Sequence, residues 1–245
     1  MSTRLFHIAC SAGLIPALFA ALVSPAAAGP HPRDRKGVAR VPAKPLPEEA
    51  AVSAIELPPP SASTIRLTAW VAAARDNGAL PYAVIDKQTA SLFLFDAKGK
   101  PLGQTPVLIG VGVGDDSSPG VGAKSLSEIG PAERTTPAGR YVAKFGKAFG
   151  RQRVLWVDYV NSVALHAVIN TNKKEQRLVR LASPAPDDNR ITFGCINVGT
   201  SFYAKTLRPL FQKRGGVVYI LPDTRSLDDV FPRLRLLPYL TAASR

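Results

Sequence analysis

The chain runs to 245 residues, 46% of them hydrophobic, which suffices to bury a core along its length and points to a globular protein. Its formal net charge of +13 favours anionic partners through long-range attraction. The sequence carries no zinc-finger spacing, RRM-like aromatic motif or helix-turn-helix pattern, which turns that charge away from nucleic acid, and charge alone identifies no ligand.

Arg4 and His7 precede an apolar run from Ile8 to Val23, after which Ser24-Pro25-Ala26-Ala27-Ala28 supplies a small-x-small cleavage pattern. Residues 1–28 therefore read as a secretory signal peptide. The run is short for a bilayer span and is interrupted by Pro16, so no stable membrane insertion is expected after cleavage. Removing Arg4 takes one charge from the +13 and leaves +12 on an exported chain destined for the periplasm or cell wall. The anionic wall or outer-membrane surface is then the fitting partner class. Residues 29–61 are rich in Pro, with Lys and Arg in the first half and Pro58-Pro59-Pro60 near the end, and read as a linker. Residues 62–80 hold a predicted amphipathic helix, with Ile65, Leu67, Trp70, Val71 and Ala74 on one stripe, a cap near Ser63 and a stop at Asn77-Gly78.

From residue 81 the signals turn to β. Tyr82 to Asp86 and Ser91 to Asp96 are short apolar runs joined by a polar turn, Lys98-Gly99-Lys100-Pro101 makes the next turn, and Val107 to Val113 reads as a third strand. Asp115 to Arg134 is a polar Gly/Pro-rich loop long enough to act as a lid or binding loop. Its Asp115-Asp116 pair lacks the further spaced ligands of a cation site, and neither a metal nor a cofactor is expected. Pro137 and Gly139 fix a turn into a strand through Tyr141 to Phe145, and Val154 to Tyr159 and Val163 to Ile169 follow as a strand pair. Asn170 to Arg190 is a basic excursion with Lys173, Lys174, Arg177 and Arg180, read as a solvated face or as a contact for substrate carboxylates. Thr200 to Lys213 reads as a helix that Pro209 kinks or ends, and Gly216 to Leu221 as the strand that closes the sheet. The domain spans 81–222, and the tail, 223–245, carries no clear signal. Many short strands with one or two packed helices give a mainly β fold, a sandwich or barrel.

Cleavage of the signal removes Cys10, so Cys195 is the one thiol of the mature chain and has no partner for an internal disulfide. A thiol becomes a nucleophile as thiolate, which calls for a proton acceptor, and imidazole is the side chain matched to neutral pH. His7 leaves with the signal and His31 lies in the linker, which leaves His166, set in the apolar run Val163 to Ile169 where a polar ring needs a reason. Inert packing is the alternative for both residues. Trp156 and Tyr159 read as core or cleft-wall residues.

Four elements then occur in order between about Pro81 and Leu221. They are the hairpin with Ile85-Asp86 and Leu92-Phe93-Leu94-Phe95, the turn Thr136-Pro137-Ala138-Gly139, the upstream His166, and Thr192-Phe193-Gly194-Cys195-Ile196-Asn197. Together they resemble the L,D-transpeptidase (YkuD-type) catalytic domain family of bacterial cell-wall enzymes. Two departures stand out. The family usually carries His directly before Gly-Cys, where this chain has Phe193, and the 29 positions from His166 to Cys195 exceed the family's usual separation.

The resemblance implies an L,D-transpeptidase-like β-sandwich or barrel and an exported cysteine-dependent acyl transfer on peptidoglycan stem peptides. It makes Cys195 the nucleophile and His166 its base, with the carbonyl of Ala167 orienting the imidazole. Gly194 would allow close backbone approach to the substrate, the Gly194 and Cys195 N–H groups would hold an oxyanion, and Thr192 and Asn197 would support the loop. Water as acceptor would make the same site an L,D-carboxypeptidase. Two other classes remain open: a wall-binding module weakened or inactivated by Phe193, and a redox-sensing thiol.

Overall fold

The computed structural model describes residues 56–148 and 152–242. The signal-peptide reading at 1–28, and the linker reading over 29–55, lie outside the described residues.

The strands that read as unbroken apolar runs are those buried on both faces. In β1 (Tyr82–Asp86) and β10 (Gly216–Ile220) every residue is buried, and the two strands lie side by side, parallel. Alternate residues split between two cores. Ala83, Ile85, Val218 and Ile220 face one, while Tyr82, Val84, Val217 and Tyr219 face the other. The second core is sealed by α1 (Ala62–Ala74) through Leu67, Trp70 and Val71 and by the tail through Phe231 and Leu234. The helix is capped two residues earlier than predicted, because Ser61 rather than Ser63 accepts the Thr64 N–H, at 3.1 Å.

Eight strands form one sheet in the order β3-β2-β1-β10-β5-β6-β7-β9, with β2 at Ser91–Phe95, β3 at Pro101–Pro106, β5 at Gly139–Lys147, β6 at Arg153–Asp158, β7 at Val163–Ala167 and β9 at Ile196–Val198. The long β5 joins two halves. Its residues 139–143 pair with β10 and 144–147 with β6, so the sheet folds over at that strand and encloses the first core. Reciprocal backbone bonds of 2.9 Å between Leu108 and Asn197 link the chain after β3 to β9, which brings the sheet nearly to closure. The architecture is mainly β, as expected, with a few helices.

Several boundaries differ from the sequence reading for identifiable reasons. Of β3 only Pro101 was expected, at the end of a turn, and 102–106 carried no reading; it is an edge strand, exposed over its first half, with Pro at both ends, where a missing N–H costs nothing. The predicted strand 107–113 shrinks to β4 (Ile109–Gly110), paired in parallel with β8 (Arg190–Thr192). At Gly110 any Cβ would fall 2.1 Å from the Arg134 carbonyl oxygen, so the chain is pressed against the end of the long loop rather than laid in the main sheet. β10 sits in the middle of the sheet between β1 and β5, and does not close it.

The predicted helix from Thr200 is broken into α3 (Thr200–Phe202), a wide π turn (Tyr203–Leu207) and α4 (Arg208–Phe211), after α2 (Arg177–Leu181) in the preceding excursion. Pro209 lacks an N–H, and the widened turn just before it takes up the disruption. The unassigned tail folds as α5 (Leu227–Val230), a 3₁₀ segment (Pro232–Leu236) and α6 (Leu237–Ala242). No helix among the described residues is long and apolar enough to cross a membrane.

Candidate active site

Strand register puts the two chemically distinctive side chains on one surface. In the half-sheet β5-β6-β7-β9, Leu155, Leu165 and Ile196 point into the first core, so their neighbours along each strand point outward. His166 on β7 stands directly opposite Asn197 on β9. Cys195 precedes Ile196, which pairs with Leu165, so the thiol lies on the same outer face, level with Ala164 and diagonal to His166. Trp156 continues that row on β6, and its edge-on neighbour Tyr159, 5.1 Å away between centroids, is exposed. Parallel pairing of β7 with β9 demands a crossover, and residues 168–195 supply it. The long His-to-Cys separation is that connection.

The imidazole is held at both nitrogens. Nδ1 lies 2.8 Å from the Ala167 carbonyl oxygen, which can only accept, so Nδ1 carries the proton and Nε2 bears the lone pair. Asn197 donates its Nδ2–H to Nε2 at 3.1 Å, and Asn197 Oδ1 accepts from an Arg177 NH1 group at 3.0 Å. Arg177 is paired in turn with Glu175, and its side chain is only 14% exposed, which removes it from the solvated face expected of the basic excursion. Burial pushes the His166 pKa below its ordinary value; the Ala167 carbonyl opposes that and the Arg177 charge adds to it. The ring is therefore neutral, the state a base requires.

Cys195 is half-buried, and its Sγ lies 3.6 Å from the carbonyl oxygen of Ser162, a residue with a left-handed φ of +58° in the β6–β7 turn. Burial raises the thiol pKa, while the Ala164 N–H and the Arg177 charge act the other way. Thiol and imidazole thus share a face as neutral groups. Among the described residues no hydrogen bond joins them.

The turn carrying the thiol is braced from three sides. Thr192 Oγ1 donates to the Cys195 carbonyl at 2.6 Å and accepts the Gly194 N–H at 3.1 Å. The Gly194 amide, expected to serve an oxyanion, is committed to this bond. Thr136 Oγ1 donates to the Gly194 carbonyl at 2.9 Å and accepts the Gly110 N–H, also at 2.9 Å. Gly194 has φ of +116°, and a Cβ there would lie 2.7 Å from the Thr135 carbonyl oxygen. The backbone that approaches this glycine is the protein's own Thr135, where the sequence reading expected the substrate. Phe193 lies under the Arg134 guanidinium, 4.0 Å from ring centroid to Cζ, so the residue before Gly194-Cys195 fastens the end of the long loop to the turn that carries the thiol.

Behind the brace lies a charged cluster that the sequence did not disclose. Lys87, fully buried, donates to Asp115 at 3.0 Å, to the Gly114 carbonyl at 2.6 Å and to the Thr136 carbonyl at 2.9 Å, and lies 3.2 Å from Asp223. Asp115 also accepts backbone N–H bonds from Asp223, Thr224 and Arg225, and Asp223 binds Arg190 at 2.7 Å. Burial alone would raise the Asp115 pKa; those donors and Lys87 outweigh it and hold the carboxyl well below its usual range. Asp115, considered above as half of an acidic pair, is occupied by donors from the chain itself.

No family model matches the sequence, and no curated protein matches it. Among solved structures, the chain is similar to the catalytic domain of the E. faecium L,D-transpeptidase at 15% identity and a TM-score of 0.33, covering 58% of this chain and 96% of that one. It is also similar to an L,D-transpeptidase from Xylanimonas cellulosilytica at 12% identity and a TM-score of 0.34, covering 58% of this chain and 60% of that one.

Proposed function

We propose that the protein is an exported cysteine acyltransferase acting on peptidoglycan stem peptides, an L,D-transpeptidase with Cys195 as nucleophile and His166 as base. The observation that carries this reading is the common outer face of β7 and β9, where a half-buried thiol stands diagonal to a neutral imidazole whose protonated Nδ1 is tied to the Ala167 carbonyl. That tautomer puts the lone pair on Nε2, which accepts the thiol proton once the Asn197 N–H that occupies it gives way.

In the proposed reaction His166 Nε2 takes the thiol proton as Sγ attacks the carbonyl after the third residue of a tetrapeptide stem. An S–C bond forms, the amide C–N bond breaks, and the proton passes to the departing D-amino acid, leaving a thioester. An amine on a second stem then attacks the thioester, gives its proton through His166 to the released sulfur, and a 3→3 cross-link results. With water as acceptor the product is a tripeptide. The Cys195 N–H is the oxyanion donor this turn offers, a role commonly worth ~3 kcal/mol.

A second reading, a wall-binding module without turnover, draws on two observations: Asn197 occupies Nε2, and Phe193 brings no hydrogen-bonding group to the turn. Incubating the protein with a disaccharide-tetrapeptide separates the two. Release of the terminal D-amino acid with dimer or tripeptide formation, lost in Cys195→Ala and reduced about 10²–10⁴-fold in His166→Ala, supports the enzyme. Retention on isolated cell wall without any product supports the module.

A further inference from the structure

We infer that Arg177 is a positioning residue of this site, acting on His166 through Asn197. The inference rests on the reading of His166 as the base and names what holds that base neutral between turnovers.

The geometry is a directed chain of donors. Arg177 has no acceptor atom, so its bond to Asn197 must end on Oδ1, and that fixes which end of the amide is which. Asn197 is buried and can present only Nδ2 to the imidazole, 3.1 Å from Nε2. A donor at Nε2 is compatible with the neutral ring and incompatible with imidazolium, whose two nitrogens both donate. The chain Arg177 to Asn197 to His166 to the Ala167 carbonyl therefore selects one protonation state and one tautomer. Without the guanidinium the Asn197 amide is free to turn over and offer Oδ1, which would accept from a protonated ring.

The charges around the ring act in the same sense. Arg177 is the cation near it, bound to Asn197 through Nη1 and to Glu175 through Nε, and Cys195 is the titratable neighbour on the face. A half-buried cation held between a carboxylate and an amide opposes a second positive charge on His166. The crossover that parallel pairing requires is what carries Arg177 to this position, since the residue opens α2, in the middle of that connection.

The test reads the imidazole directly, so it does not depend on turnover. Long-range ¹H–¹⁵N NMR of the wild-type protein should report His166 as the neutral Nδ1–H tautomer at pH 7. In Arg177→Gln its titration midpoint should move upward and the tautomer preference weaken, while Arg177→Lys should retain the wild-type midpoint. Asn197→Leu, which cuts the same chain at the link next to the imidazole, should also raise the midpoint, and it carries the test if Arg177→Gln does not fold. In activity, Arg177→Gln should lose about 10-fold in kcat/KM at pH 6 and less than about 2-fold at pH 8, with Arg177→Lys restoring the profile. Superimposable His166 titrations in wild type and Arg177→Gln, or in wild type and Asn197→Leu, would overturn the inference. If the titrations shift as expected but no variant, wild type included, releases product from stem peptides, the positioning stands and the acyltransferase reading fails.

Discussion

At the residue scale, the turn that carries Cys195 is governed by space and hydrogen bonds at Gly194 more than by the thiol. Its positive φ and the Thr135 carbonyl, 2.7 Å from where a Cβ would sit, leave no room for a side chain. Gly194→Ala should therefore lower stability by roughly 1–3 kcal/mol in urea unfolding and reduce acylation of Cys195 as the turn shifts. His166 and Cys195 also impose a pH window. A histidine whose pKa is depressed on folding binds its proton more readily unfolded, so its contribution is present above about pH 6.5 and is lost as pH falls below it. A thiol whose pKa is raised on folding keeps its proton while the unfolded chain releases it, so stability falls as pH rises past about 8.5. Both residues were legible in the sequence because each is chemically out of place, a lone thiol and a polar ring in an apolar run. Thr192 and Asn197 were legible by adjacency. Arg177 and Thr136 were named there, in the basic excursion and in the Thr-Pro-Ala-Gly turn, but their contacts at the site were not legible, since they meet their partners across 20 and 58 positions respectively, a separation that leaves no local pattern.

At the element scale, the root of the long loop, the Thr136 turn and the start of the tail meet on one ammonium group. Lys87 ties Gly114 and Asp115 to Thr136 and lies against Asp223, and Thr136 reaches the Gly194 carbonyl, so the Cys195 turn is supported through a buried ionic cluster. Removing one partner of such a cluster strands the others without compensation. Lys87→Met should cost about 3–5 kcal/mol by chemical denaturation. The low Asp115 pKa adds an acid limb of the opposite origin to that of His166. A carboxyl held low in the folded state stabilises above its unfolded pKa near 3.9, and that contribution is lost as pH falls further. An acid titration followed by Trp fluorescence should show the final loss of structure below pH 4 in wild type and at higher pH in Lys87→Met. Helix α1 and strands β1, β2, β6, β7 and β10 were readable because burial on one or both faces stamps a period on their residues. Strand β3 and the short helices of the excursion were not, because their exposed polar residues carry no such period.

For the molecule as a whole, the described tail is part of the fold. Phe231 and Leu234 complete the core that α1 shares with β1, β2 and β10, so both ends of the described chain close over the same face of the sheet. Leu234 is fully buried while Leu236 is 52% exposed, which makes the pair a built-in control. Leu234→Ala should cost about 2–5 kcal/mol and Leu236→Ala no more than about 0.5 kcal/mol in denaturant melts. Beyond β5 that same face of the sheet loses its apolar cover and presents Cys195, His166 and the Trp156–Tyr159 pair. One half of the sheet is thus sheathed by helices on its outer face, and the other half leaves the thiol and the imidazole uncovered by them.

The claim on which the functional account turns is that Cys195 forms an acyl bond with His166 acting as its base. Intact-mass measurement after exposure to a carbapenem reads that bond directly. The account predicts one adduct per wild-type molecule, none on Cys195→Ala, and an adduct forming about 100-fold or more slowly on His166→Ala. A wild-type protein that stays unmodified, or an adduct that persists in Cys195→Ala, would contradict it.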